Sequence, residues 1–187
     1  MAYTKIHAIK ATVDKAIDYI CNPEKTDEKM FVSSYACSPE TAAYDFKYTL
    51  DHCRENSPNK AYHLIQAFAP GEVGFEEVHR IGKELADKLL EGKYSYIVTT
   101  HIDKGHVHNH IIFCAADNIE HNKYHDCKQS YYHIRKLSDE RTHDAIYIGA
   151  VFDADIIIFQ IVTHHFSHCC FLWAVFSSCH KNNLQTE

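Results

Sequence analysis

Apolar and polar positions alternate over Thr4 to Lys10, which predicts a strand, and Thr12 to Cys21 follows as a helix that Asn22-Pro23 stops. Tyr19 falls in the last turn of that helix. Ser38 before Pro39 and Glu40 reads as a helix start, with Ser38 as N-cap and Pro39 at the first helical position, and this helix is expected to run to about Cys53. Ala61 to Ala69 reads as a strand ending at Pro70-Gly71. Phe75, Val78, Ile81, Leu85 and Leu89 then recur at helical spacing until Gly92. Tyr94 to Ile102 is aromatic and β-branched, Asp103-Lys104-Gly105 is a turn signal, and Val107 to Cys114 is a second strand, so the pair predicts a β-hairpin. A polar stretch around Asn118 to Lys128 leads into a helix over Ser130 to Arg141. Helices mixed with at least one antiparallel pair give an α+β class.

Past Arg141 the pattern breaks. Residues 142–187 are apolar and rich in Cys and His, without a clear period. They are read as an atypical tail, a frameshifted or truncated end, beside a single domain over residues 1–141. The alternative is a final hairpin or helix packing on the sheet. Asp153, Asp155 and His164-His165 interrupt the tail, so no run of about 18 apolar residues predicts a membrane span.

With 187 residues, 45% hydrophobic and 24% charged, the chain is expected to fold around an ordinary core. Lysines and aspartates run through the first 20 residues, where a signal peptide would be apolar, and a cytoplasmic location is expected. Of the eight cysteines, Cys21, Cys37, Cys53, Cys114 and Cys127 are widely scattered and form no CxxC pair, so they read as buried or free thiols. A net charge of −6 runs against phosphate binding, but 16 histidines and a bound cation would add positive charge that the formal count omits.

The stretch HIDKGHVHNH carries the clearest chemistry. His108 and His110 are two apart, so on a strand both leave the same face. If the turn occupies Asp103 to His106, Ile102 lies opposite Val107 and His101 opposite His108. Three imidazoles then converge on one divalent ion. His106 would sit in the turn, to contact DNA or to exchange with His101. Asp103 is either an accessory residue orienting an imidazole or an ordinary turn cap. Three neutral ligands leave open positions for phosphate oxygens, which suits phosphoryl transfer.

Together with YICNPEKT from Tyr19 and HLIQAFAPGE from His63 to Glu72, the segment HIDKGHVHNHIIF resembles the MobA-type relaxases, the mobilisation nucleases of the HUH endonuclease superfamily. The resemblance covers about residues 1 to 140. It implies a central antiparallel sheet flanked by helices, with the HxH strand in its middle. It further implies that Tyr19 is the catalytic nucleophile and that the metal, magnesium or manganese with zinc as the alternative, is held by His101, His108 and His110. The implied partners are single-stranded DNA at a plasmid transfer origin, which the tyrosine nicks to give a 5′-phosphotyrosine, and an accessory mobilisation protein; no membrane is involved. Ala67 stands where a serine is expected. A phenol with an ordinary pKa near ~10 needs a base or a nearby cation, and Asp103 and Glu72 are the candidate bases. Glu72 is alternatively a cap for the helix beginning near Gly74.

Two rival readings are carried. SYYHIRK resembles the tyrosine helix of rolling-circle replication initiators, which would move the nucleophile to Tyr131 or Tyr132. A catalytically inactive remnant that still binds metal or DNA is the other.

Overall fold

The computed structural model describes residues 2–103 and 105–143. Its elements are β1 (Tyr3–Ile9), α1 (Val13–Ile20), β2 (Val32–Tyr35), α2 (Ala42–Asp51), β3 (Ala61–Ala67), α3 (Phe75–Leu90), β4 (Tyr96–His101), β5 (His108–Cys114), and a last helix, α4, over 128–143. The five strands form one sheet in the order β1-β3-β5-β4-β2, antiparallel at every pairing. The class is α+β, and the HxH strand β5 is the middle strand. Helix α4 continues past Arg141, and the Thr142 hydroxyl donates to the Ser138 carbonyl at 2.8 Å. The rest of the expected tail over 142–187 lies outside the described residues. Among the described residues no helix is long and apolar enough to cross a membrane.

Every residue of β5 is buried, because helices cover the sheet on both sides. Strand alternation divides its side chains between two cores. On one face Ile112 and Cys114, with Ile97 of β4, pack against Ile17 and Ile20 of α1 and Ala42 and Phe46 of α2. On the other, Ile111 and Phe113, with Leu64 and Val98, pack against Leu85, Ala86 and Leu90 of α3 and Ile134 and Leu137 of α4. His108 and His110 share parity with Ile112, so the imidazoles lie on the α1/α2 face. Each fully buried aliphatic side chain here contributes roughly 1.5–3 kcal/mol, which holds the strand that carries the histidines.

Several boundaries differ from expectation for local reasons. Helix α2 starts at Ala42, not Pro39: the Ser38 carbonyl accepts from Thr41 and Ala42 N–H in a preceding turn, and the Thr41 hydroxyl bonds the Asp45 carboxylate at 2.7 Å. The apolar stripe of α3 is rotated from the expected one. Phe75 at its first turn is exposed, and Leu90 rather than Leu89 is fully buried. Strand β2 was not expected; its four residues are half-buried or exposed at a sheet edge, too short for alternation to register. Its partner β4 is continued beyond β2 by two bonds, Thr100 N–H to the Phe31 carbonyl and Ile102 N–H to the Lys25 carbonyl, each 3.0 Å. Cys21 and Cys114 are buried and the other three described cysteines partly so, all as free thiols.

Between the two HxH imidazoles, Asn109 points to the opposite face into a buried polar chain. Its amide nitrogen donates to the Val78 carbonyl at 2.7 Å and to Gln66 Oε1 at 3.0 Å, and its oxygen accepts from the Thr100 hydroxyl at 2.6 Å. With its proton given to Asn109, Thr100 Oγ1 accepts from His79 Nδ1–H at 2.9 Å. His79 Nε2 in turn accepts from the Ser33 hydroxyl at 2.8 Å. Gln66 Nε2 donates to Ser138 on α4 at 2.8 Å. The chain ties β2, α3, β4, β5, β3 and α4 together and fixes the facing of β5 by satisfying every member.

This arrangement requires glycine at position 82 of α3, because a Cβ there would lie 2.4 Å from Asn109 Nδ2. In an open helix, alanine for glycine would gain about 1 kcal/mol. Here Gly82→Ala is expected to lose about 1–3 kcal/mol through overpacking against a buried amide. Urea unfolding midpoints check this, and a stabilised variant would contradict the packing described.

Candidate metal centre and nucleophile

The register that positions the site is the last rung of the β4–β5 ladder, His101 opposite His108, with Thr99 opposite His110. The ring centroids of His101 and His110 are 4.3 Å apart, those of His108 and His110 4.8 Å, and those of His101 and His108 5.2 Å. One nitrogen from each ring falls within 4.8 Å of the others, and all three residues are buried. His101 Nε2–H donates to the Ile20 carbonyl at 2.9 Å, so in that tautomer Nδ1 carries the lone pair. His108 Nδ1 faces the His106 carbonyl at 3.4 Å, and His110 Nδ1 lies 2.8 Å from Nε2 of His63 on β3.

His110 Nε2, by contrast, is buried without a hydrogen-bond partner, as is Oγ1 of Thr99 beside it. An orphaned buried nitrogen is costly unless something absent from the polypeptide satisfies it. A divalent cation fits, since it needs deprotonated imidazole nitrogens converging from one face. The electrostatics favour that state. Burial, reinforced by His63, His101, His108 and Lys25, pulls His110 down to about 2. Burial, with His7 and His101, pulls His63 down to about 4, and burial lowers His108 as well. These rings are neutral at pH 7, with lone pairs available to a metal.

Tyr19 reaches this cluster from α1. The helix buries Ile17 and Ile20 against the sheet, and between them Tyr19 is left 49% exposed at the helix end. Its ring meets His101 edge-on at 5.8 Å and His110 at 6.0 Å. The helix ends at Cys21, and Asn22 Oδ1 accepts from Glu24 N–H at 3.0 Å to start a short 3₁₀ turn, Pro23–Lys25. That turn returns the chain so that Lys25 Nζ stands 4.1 Å over the Tyr19 ring. Nothing local in YICNPEKT singles out Lys25 for this role. The same holds for His63 in HLIQAFAPGE: His63 comes to the site only through the β3–β5 pairing, and Lys25 only through the 3₁₀ turn.

The other expected residues fall elsewhere. His106 is exposed in the turn and stacks on His108 at 5.3 Å, outside the triad. Asp103 is also exposed there, and its charge acts on His108 through space. Glu72 does not cap α3, whose N-cap is Gly74; its carboxylate accepts the Ala69 N–H at 2.9 Å and closes the turn after β3. Ala67, in the place of the expected serine, pairs with His108 and so lies on the imidazole face. Tyr131 and Tyr132 are exposed on α4, which packs on the opposite face through Ile134 and Leu137.

Comparison with known proteins agrees with this geometry. Residues 19–145 match the sequence family described as relaxase, MobA/VirD2-like, nuclease domain. Two proteins named rlx from Staphylococcus aureus are 34% and 36% identical to the chain over 140 residues, 75% of its length. The group II intron-interrupted relaxase LtrB of Lactococcus lactis is 29% identical over 125 residues, covering 53% of this chain and 22% of LtrB. The chain spans only 40% and 42% of the two rlx proteins. A solved structure described as the molecular basis of vancomycin resistance transfer in Staphylococcus aureus shares the fold, with a TM-score of 0.56 over 80% of this chain and 94% of that one, at 12% identity. A central HxH strand, a buried imidazole triad with a tyrosine at its edge, and a family match over most of the chain place the protein in the MobA/VirD2-like relaxase nuclease-domain family.

Proposed function

We propose that the domain nicks single-stranded DNA at a plasmid transfer origin, with Tyr19 as nucleophile. The observation that carries this reading is the half-exposed Tyr19 ring standing edge-on to two imidazoles of the buried His101–His108–His110 triad. The Tyr19 oxygen forms a bond to the scissile phosphorus while the bond to the 3′ oxygen breaks, giving a 5′-phosphotyrosine and a free 3′-hydroxyl. The ester keeps the bond energy for rejoining. His101, His108 and His110 would hold a divalent ion that, when bound, withdraws charge from the phosphate oxygens. Three imidazole donors suit manganese or zinc better than magnesium, which prefers carboxylate and water oxygens.

The chain's own residues supply the rest. The Ile20 carbonyl fixes His101, and α1 fixes Tyr19 relative to it. Lys25 places a cation against the phenol ring, where negative charge develops as the proton leaves. Of the two candidate bases, Asp103 lies at the rim beside His108, whereas Glu72 closes its own turn. With a net charge of −6, DNA affinity rests on the ion, on Lys25 and on base stacking more than on a basic surface. An accessory mobilisation protein that melts and presents the DNA fits this weak intrinsic grip. The rolling-circle alternative has its tyrosines on the far side of the sheet from the imidazole triad.

Tyr19→Phe is expected to keep metal and single-stranded DNA binding yet form no covalent adduct, because it removes one oxygen and almost no volume. Mass spectrometry of the protein after incubation with transfer-origin oligonucleotide and manganese checks this. A 5′-phosphate on Tyr131 or Tyr132 would move the nucleophile to α4, and binding without any adduct in the parent chain would mark an inactive remnant. Lys25→Met is expected to slow cleavage by about 100-fold or more, in line with losing one charge-stabilising donor. It should also flatten the slope of log affinity against log salt by ~0.7, the value of one phosphate contact on a single strand. An unchanged rate and slope would remove Lys25 from the site.

A further inference from the structure

A row of imidazoles crosses four adjacent strands on the α1/α2 face: His7 on β1, His63 on β3, His110 on β5 and His101 on β4. The metal reading uses only the last two, with His108. His63 is 8% exposed, pairs with Ile112, and so lies diagonal to His110, which pairs with Ile65. The two rings meet at 4.9 Å, with His63 Nε2 at 2.8 Å from His110 Nδ1. His7, paired directly with His63, closes over it from the exposed edge strand, with ring centroids 4.9 Å apart.

One proton is shared across the contact, and its position sets the tautomer of His110. If His63 were the donor, neutral His110 would carry its proton on Nε2, where the structure offers no acceptor. If His110 Nδ1–H donates to His63, the lone pair falls on Nε2, directed to the side where His101 and His108 converge. We propose that His63 is a positioning residue that holds His110 as the Nδ1–H tautomer, with Nε2 presented to the ion. The inference rests on the metal reading above. Metal-bound imidazoles commonly donate their second N–H to a carboxylate, a carbonyl or water. A histidine acceptor does the same without adding a negative charge, so the ion keeps its full charge for phosphate. In a chain of net charge −6 that difference bears on DNA binding.

Calorimetric titration of the full chain with Mn²⁺ tests the assignment, followed by binding of a single-stranded oligonucleotide to the metal-loaded protein. His63→Leu, which removes the acceptor, is expected to weaken Mn²⁺ binding by about 10–100-fold, and His63→Gln, whose side-chain oxygen can accept the same bond, to restore most of it. His63→Asp is expected to bind Mn²⁺ at least as tightly as the parent but to hold the oligonucleotide more weakly, because the added charge offsets that of the ion. A purely structural role for His63 would move melting temperature in all three variants without this ordering. Parent-like Mn²⁺ affinity in His63→Leu overturns the inference. If that variant fails to fold, weaker Mn²⁺ binding by His63→Asp than by His63→Gln overturns it instead. His108→Ala separates the two levels: if it and the parent bind Mn²⁺ equally, the metal reading itself fails and the role of His63 with it.

Discussion

The pairing of β4 with β5 is the constraint on which the site depends. His101 belongs to one strand and His108 and His110 to the other, and they share a face only because the ladder ends with His101 opposite His108. A slip by one residue would send His108 and His110 into the α3/α4 core and bring Asn109 to the metal face. The slip would bury imidazoles among Leu85, Leu90 and Val98 and strand an amide among neutral rings. The register is therefore held by both cores at once, and the geometry of the imidazole triad follows from packing that has no chemical role of its own.

Asn109 shows how closely structure and site are joined. It occupies the position between the two imidazoles of β5 and is satisfied on the far side by Val78, Gln66 and Thr100, against a glycine of α3 that leaves room for it. The network works as a clamp. Any rotation of the strand that moved His108 or His110 would also break buried hydrogen bonds, each costly to leave unmade. On the metal side the reverse holds: His110 Nε2 and Thr99 Oγ1 are left without partners. Complete satisfaction on one face and unmet polar capacity on the other is the pattern expected of a strand that is structural behind and functional in front.

Much of this was legible in the chain. HIDKGHVHNH contains its own register: two strand segments, a turn signal, and histidines at spacings that the period of two resolves onto one face. Tyr19 was placed in a last helical turn by the Asn22-Pro23 stop. His63 and Lys25 were not legible as site residues. His63 reaches His110 through the β3–β5 pairing, which joins segments 47 residues apart, and no local period announces such a contact. Lys25 is brought back over Tyr19 by a three-residue 3₁₀ turn held by the Asn22 side chain, a device whose direction depends on β4 accepting the returning chain. Strand β2 is not legible because four residues at an edge, half of them exposed, have too little burial to impose alternation. The start of helix α2 is misread by its sequence because Ser38-Pro39 carries a start signal that the chain spends on a turn before the Thr41–Asp45 pair begins the helix.

The central claim is that one ion is shared by His101, His108 and His110 across the end of the β4–β5 hairpin. X-ray absorption of the zinc-loaded chain counts imidazole ligands directly, and its variants identify them. The account predicts three imidazole nitrogens in the parent and in His106→Ala, and one fewer in His101→Ala. A count that falls in His106→Ala and holds in His101→Ala would contradict it, since the ligand would then come from the turn and not from the register of the strands.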